Sequence, residues 1–140
     1  MPSVRPNIAE LPPYQAGKKE PGKIKLASNE NPLGPSPRAI EAARLHLDSM
    51  HLYPDGSAGQ LVGALARHQH LPENCFIPGN GSDEILMMAA ATFLSPGDEV
   101  IIADHTFSEY RTVSRIFDAL VNAVPHRAGN WDPDADLASH

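Results

Sequence analysis

The chain of 140 residues contains one cysteine, Cys75. One thiol closes no intramolecular disulfide and builds no cysteine-ligated zinc site. A reducing, cytoplasmic compartment is the expectation. No apolar run approaches the ~20 residues of a bilayer span, and no signal-peptide pattern opens the chain, so no membrane partner is expected. Positive charge is scarce: 11 Lys and Arg face 17 Asp and Glu, a net charge of −6. That balance gives no general attraction for nucleic acid or anionic surfaces. Lysine is scarcer still, because Lys18, Lys19, Lys23 and Lys25 are all there are. The seven histidines do not amend this picture. His68 and His70 diverge on a helix, no Cys/Asp/Glu cluster completes a site, and no metal is expected. No Ser-His-Asp or Cys-His arrangement is legible, so no catalytic nucleophile is assigned.

What is present is a globular composition, 41% hydrophobic and 20% charged,. The length suits one ordinary domain. Eight of the 14 prolines lie in residues 1–37, which argues against regular helix or central strand there,. The independent core must come from the remainder, which is small for a parallel α/β sheet.

The expected organisation has three parts. Residues 1–35 are an irregular arm and a loop, with a short extended segment at Ile24–Ala27. Ser28-Asn29-Glu30-Asn31-Pro32-Leu33-Gly34-Pro35 is dense in turn formers. Residues 36–72 are helical. Ser36-Pro37 is an N-cap followed by proline at the first helical position, and Ile40, Ala43, Leu47 and Met50 keep helical spacing to Ser49 or Met50. After the turn Tyr53-Pro54-Asp55-Gly56, Ser57 is expected to cap a second helix reaching Leu71-Pro72. Residues 73–140 read as strand, helix, strand, helix, strand. The strands are Cys75–Pro78, Glu99–Asp104 and Leu120–Val124; the helices run to Leu94 and onward from Ser108. Alternation of this kind predicts an α/β fold with a mainly parallel sheet. Cys75 is expected to be buried and inert. The helix before Leu94 is apolar almost all round, which predicts burial on more than one side.

Gly79-Asn80-Gly81-Ser82-Asp83-Glu84 carries the first chemical signal. Small residues before a helix let its free N–H groups and positive end approach an anion, and Ser82 adds a hydroxyl. A helix cap with no ligand is an equal reading of this stretch alone. It also resembles a dinucleotide fingerprint, with Glu84 in place of the third glycine and Asp104 placed to meet a ribose. Phe107, in the loop after the second strand, can stack on a flat ring or serve as a core aromatic.

Five segments in order carry a family resemblance. They are Leu11–Lys18, Leu26–Pro37, Tyr53-Pro54-Asp55-Gly56, Gly79–Glu84 and Thr106-Phe107-Ser108-Glu109-Tyr110. Together they resemble the N-terminal part of the histidinol-phosphate aminotransferases, in the fold-type I, class I/II superfamily of pyridoxal-phosphate enzymes. The resemblance implies an N-terminal arm plus the first part of a fold-type I large domain. It implies pyridoxal 5'-phosphate as cofactor and an amino transfer between L-glutamate and an imidazole-acetol phosphate in histidine biosynthesis. It further implies a homodimer. Gly81, Ser82 and Asp83 would hold the cofactor phosphate and Phe107 its ring. Tyr53 would reach the partner subunit's cofactor phosphate. Tyr14 and Asn29 would line the substrate side. Phospho-amino-acid decarboxylases and aromatic aminotransferases of the same fold share several of these motifs, and a non-catalytic remnant is a further alternative. His105 stands where the family usually has proline.

Such enzymes need a lysine that bonds the cofactor, an aspartate on its ring nitrogen and an arginine for the substrate carboxylate. None of these maps here, so the chain is expected to be an N-terminal piece, inactive and weakly stable alone.

Overall fold

A computed structural model describes residues 3–13, 20–25 and 29–125. Tyr14, Lys18 and Lys19, part of the Ile24–Ala27 segment and everything beyond Pro125 lie outside the described residues. The chain forms two compact units, Pro13–Leu61 and Met1–Pro12 with Val62–His140.

The larger unit is built on a β-α-β repeat. Strand β1 (Glu99–Ala103) pairs in parallel with β2 (Leu120–Val124), in the register Glu99↔Leu120 to Ala103↔Val124. Parallel strands need a crossover, and helix α5 (Ser108–Ile116) supplies it,. Helix α4 (Ser82–Phe93) precedes β1 and packs on α5. The turns entering the two strands are bolted together. Gly97, at φ +89°, donates its N–H to the Asp118 carbonyl (2.9 Å), and Leu120 N–H donates to the Asp98 carbonyl (2.7 Å). Asp118 takes a left-handed conformation (φ +61°) that ends α5, with Ala119 N–H returning to the Ser114 carbonyl at 3.0 Å,.

The core is small. Among the described residues its buried apolar members are Ala66, Ala90, Ile102, Val113, Ala119 and Val124, and no large side chain there is fully enclosed. Buried Ser114 satisfies its hydroxyl by donating to the Tyr110 carbonyl one helical turn back,. On the outer face of the sheet, Asn122 donates to the Glu99 carboxylate (3.3 Å).

The smaller unit carries helix α2 (Pro37–Leu45), where Ser36 Oγ accepts from the Ala39 N–H at 3.1 Å as a cap should,. A 3₁₀ turn at Leu47–Ser49 continues it, so the expected helix to Ser49 changes pitch after Leu45. Helix α3 (Gly59–Gln69) crosses the division between the units in sequence.

Five expectations need correction. The strand at Cys75–Pro78 is not formed: Glu73–Cys75 is a 3₁₀ turn, and Phe76 is extended but unladdered. An extended segment becomes a strand only beside a partner, and the described sheet contains β1 and β2 alone,. Cys75 is consequently exposed. Helix α4 buries only Ala90, and Phe93 is 79% exposed, because α5 covers one of its apolar faces and the described residues cover no other. Ser57 does not cap α3, which starts two residues later and takes its cap from Asp55. The arm is not wholly irregular, since α1 (Pro6–Ala9) is a single turn with proline at its first position, the one helical place proline suits,.

Candidate functional site

The start of α4 is a preformed set of donors. Its N-cap is Gly81, at φ +84° and ψ 179°, a backbone region open essentially to glycine alone,. No side chain caps the helix, and geometry leaves the N–H groups of its first turn, beginning at Ser82 and Asp83, without intrahelical acceptors,. Nothing stands within 4 Å of where a Cβ on Gly81 would lie, so the space over the turn is open. The helix dipole adds positive potential at the same point.

Glu84 shapes the turn, a role the sequence reading missed. Its carboxylate accepts from the Asn80 backbone N–H (2.5 Å) and from Asn80 Nδ2 (2.9 Å). A glutamate at the third helical position is the legible signal; it reaches back as in a capping box, but to the residue before the N-cap,. The contact draws that negative charge back toward Gly79 and Asn80. Gly79 lies close under this contact: a Cβ there would fall 2.9 Å from Ile85 Cδ1 and 3.1 Å from Glu84 Oε2, so both side chains would have to shift.

The loop after β1 belongs to the same unit. Asp104 N–H donates to the Val124 carbonyl (2.8 Å), extending the parallel ladder by one bond before the chain turns. Phe107 follows as the N-cap of α5, 48% exposed, its ring meeting Tyr110 edge-on at 6.2 Å and 89°. The T-shaped contact orients the half-exposed ring against Tyr110,. Because α4 enters β1 through a short turn and α5 leaves it, both helices begin at the C-terminal edge of the sheet. Open α/β sheets bind ligands at that edge.

Tyr53 and Asn29 lie in the smaller unit. Tyr53 is fully exposed at 101%, on a turn fixed by the next residues. The Asp55 carboxylate accepts from Ser57 N–H (3.0 Å), Ser57 Oγ (2.7 Å) and Gly59 N–H (3.0 Å). Those bonds, the Ser57 hydroxyl foremost, hold the Asp55 pKa below the ordinary carboxylate range,. A lowered folded-state value means the stabilisation is present above the unfolded value and is lost as pH falls through the folded one. Helix α3 is therefore expected to keep its N-terminal turn at neutral pH and to fray below about pH 4. Far-UV circular dichroism of Asp55→Ala against wild type checks this: the two should differ at pH 7 and converge in acid. Asn29 is exposed, beside a loop in which Lys25 and Glu30 pair at 3.2 Å and the Asn31 side chain accepts from Leu33 N–H at 3.0 Å. Tyr14 lies outside the described residues.

The dinucleotide reading lacks its context. A fingerprint glycine turn follows a strand, and none of the described strands precedes Gly79,.

The α/β unit thus carries a glycine-led helix start with uncapped N–H groups and, in the loop after β1, a half-exposed aromatic. Residues 21–139 match the family model for aminotransferases of class I and II, and the chain belongs to that family. Histidinol-phosphate aminotransferase from Symbiobacterium thermophilum is 43% identical over 143 residues, covering 96% of this chain. The enzyme of that name from Moorella thermoacetica is 44% identical over 148 residues and covers 99%. The chain spans about 39% and 38% of the length of these two curated relatives. The solved structure of histidinol-phosphate aminotransferase from Sinorhizobium meliloti, in complex with pyridoxal-5'-phosphate, shares the fold: TM-score 0.73 at 23% identity, over 80% of this chain and 30% of that one. Among the described residues no helix is long and apolar enough to cross a membrane.

Proposed function

We propose that this chain is the N-terminal portion of a cytoplasmic, homodimeric pyridoxal-phosphate transaminase that moves an amino group between L-glutamate and imidazole-acetol phosphate in histidine synthesis. The observation that carries the reading is the start of α4. There Gly81, in its glycine-only conformation, presents free N–H groups to open space. A phosphate ester fits such a site by charge, by donor count and by room. In this reading the N–H groups of Ser82 and Asp83 bind the cofactor phosphate, and Glu84 stays clear of it on Asn80. Phe107 lies against the cofactor ring and sets its tilt. Exposed Tyr53 reaches the phosphate bound by the partner subunit, and Tyr14 and Asn29 face the substrate. The segment from residue 73 onward is the start of the cofactor-binding domain. When bound, the cofactor supplies an electron sink for the carbon that loses its proton. The residues in hand bind and orient; the four lysines, between Lys18 and Lys25, all precede the phosphate turn.

Equilibrium dialysis with pyridoxine 5'-phosphate tests this, because that compound keeps ring and phosphate but has no aldehyde to react with lysines. Binding is expected, with loss of it for unphosphorylated pyridoxine and none for NADH. Equal binding of pyridoxine, or displacement by NADH, sinks the assignment. No turnover of L-glutamate is expected from the purified chain; measurable turnover would place the proton-moving lysine among the four.

A further inference from the structure

We propose that α1 is a strap docked in cis on the C-terminal end of α5, and that Asn7 is the side chain holding it. A helix of four residues does not persist alone, since nucleation costs more than one turn returns,. Its amides are nevertheless bonded: Ile8 and Ala9 N–H donate to the Arg5 carbonyl at 3.0 Å, and Glu10 N–H donates to the Pro6 carbonyl at 3.2 Å. The order must come from what α1 rests on.

What it rests on is the negative end of a longer helix. Asn7 Nδ2 donates to the Arg115 carbonyl at 2.7 Å and lies 3.4 Å from the Ile116 carbonyl. The Arg115 carbonyl also accepts the Asp118 N–H at 3.0 Å, so Asn7 takes its second lone pair; a side-chain amide carries two hydrogens on one nitrogen, which lets it address this carbonyl and that of Ile116 together,. Ile8 and Leu11 are half-buried beside this contact. The Glu10 carboxylate stands 3.8 Å from the Arg115 guanidinium, but both groups are largely exposed and the pair contributes little,. The anchor is therefore the neutral amide rather than the ion pair. Its acceptors belong to the same chain, so the arm begins from its own α5 without help from a second copy. This holds whatever ligand the start of α4 binds.

Hydrogen exchange at the Ile8, Ala9, Glu10 and Leu11 amides of the full chain tests the strap, with β1 and β2 amides as internal reference. Protection is expected, unchanged between protein concentrations about tenfold apart. Asn7→Ala should reduce it about fivefold, and Asn7→Asp, which cannot donate and adds charge at the negative helix end, at least as much. Glu10→Gln should leave it within about twofold. Protection that survives Asn7→Ala, rises with concentration, or is missing from the wild-type chain overturns the proposal.

Discussion

Gly81→Ala should weaken binding of pyridoxine 5'-phosphate by roughly 5- to 150-fold, the equivalent of the 1–3 kcal/mol charged for holding an L-residue in a backbone region reserved for glycine. The penalty is conformational, since a methyl group at residue 81 would meet nothing within 4 Å. The alanine chain escapes it by rotating out of φ +84°, which turns the Ser82 and Asp83 N–H groups away from their common focus. Gly79→Ala is the informative comparison. There the added methyl would sit 2.9 Å from Ile85 Cδ1 and 3.1 Å from Glu84 Oε2, the ends of flexible side chains that can move aside. Its effect on binding should be smaller, and it should come with loss of the Glu84–Asn80 contact. Dialysis on the two variants decides: wild-type affinity in Gly81→Ala would mean that the turn is only a helix entry.

Ile102→Asp should abolish the folded state of the larger unit. Ile102 is buried on β1, opposite Ala123 of β2, and a carboxylate there loses its hydration without gaining a partner,. That costs several kcal/mol against a total stability of about 5–15 kcal/mol for a complete domain. Among the described residues six apolar ones are buried, three of them alanine, which puts this unit at or below the lower end of that range. Loss of far-UV dichroism and of exchange protection in β1, β2 and α5 is expected at 25 °C. Ile101→Thr, one residue away on the opposite face and 41% exposed, should change the same signals little,. Protection retained in Ile102→Asp would show that the sheet is not what holds the unit together.

Much of this was legible along the chain because it depends on neighbours. Ser36-Pro37 starts α2, Val100-Ile101-Ile102 marks β1, and Ser108 begins α5, each through bonds or spacings a few residues long. The five ordered motifs pointed to the family that the match over residues 21–139 establishes. The misreadings cluster where a distant partner decides. Cys75–Pro78 has the residues of a strand and α4 those of a buried helix, yet neither finds its complement among the described residues. Sequence pattern reports which surface a segment would hide; it does not report whether anything is there to hide it.

The donor cluster at the candidate site divides the same way. Glycines before a helix announce an anion-binding entry in any fold, because helix ends have free N–H groups wherever they occur. The conformation of Gly81, the withdrawal of Glu84 onto Asn80 and the replacement of Ser57 by Asp55 as the α3 cap were settled by competition among several short-range acceptors. Side-chain reach, rather than residue type, chose the winner. Asn7 is the extreme case: its acceptors at Arg115 and Ile116 lie more than a hundred positions away in sequence, and only folding α5 against the arm brings them within 2.7 and 3.4 Å. Residue order thus sufficed for α2, β1, α5 and β2 and for the family, whose signals are local and additive. The tertiary structure alone decided which apolar faces are covered, which carboxylate caps which helix and where the arm is tied, since each depends on groups that sequence distance does not relate.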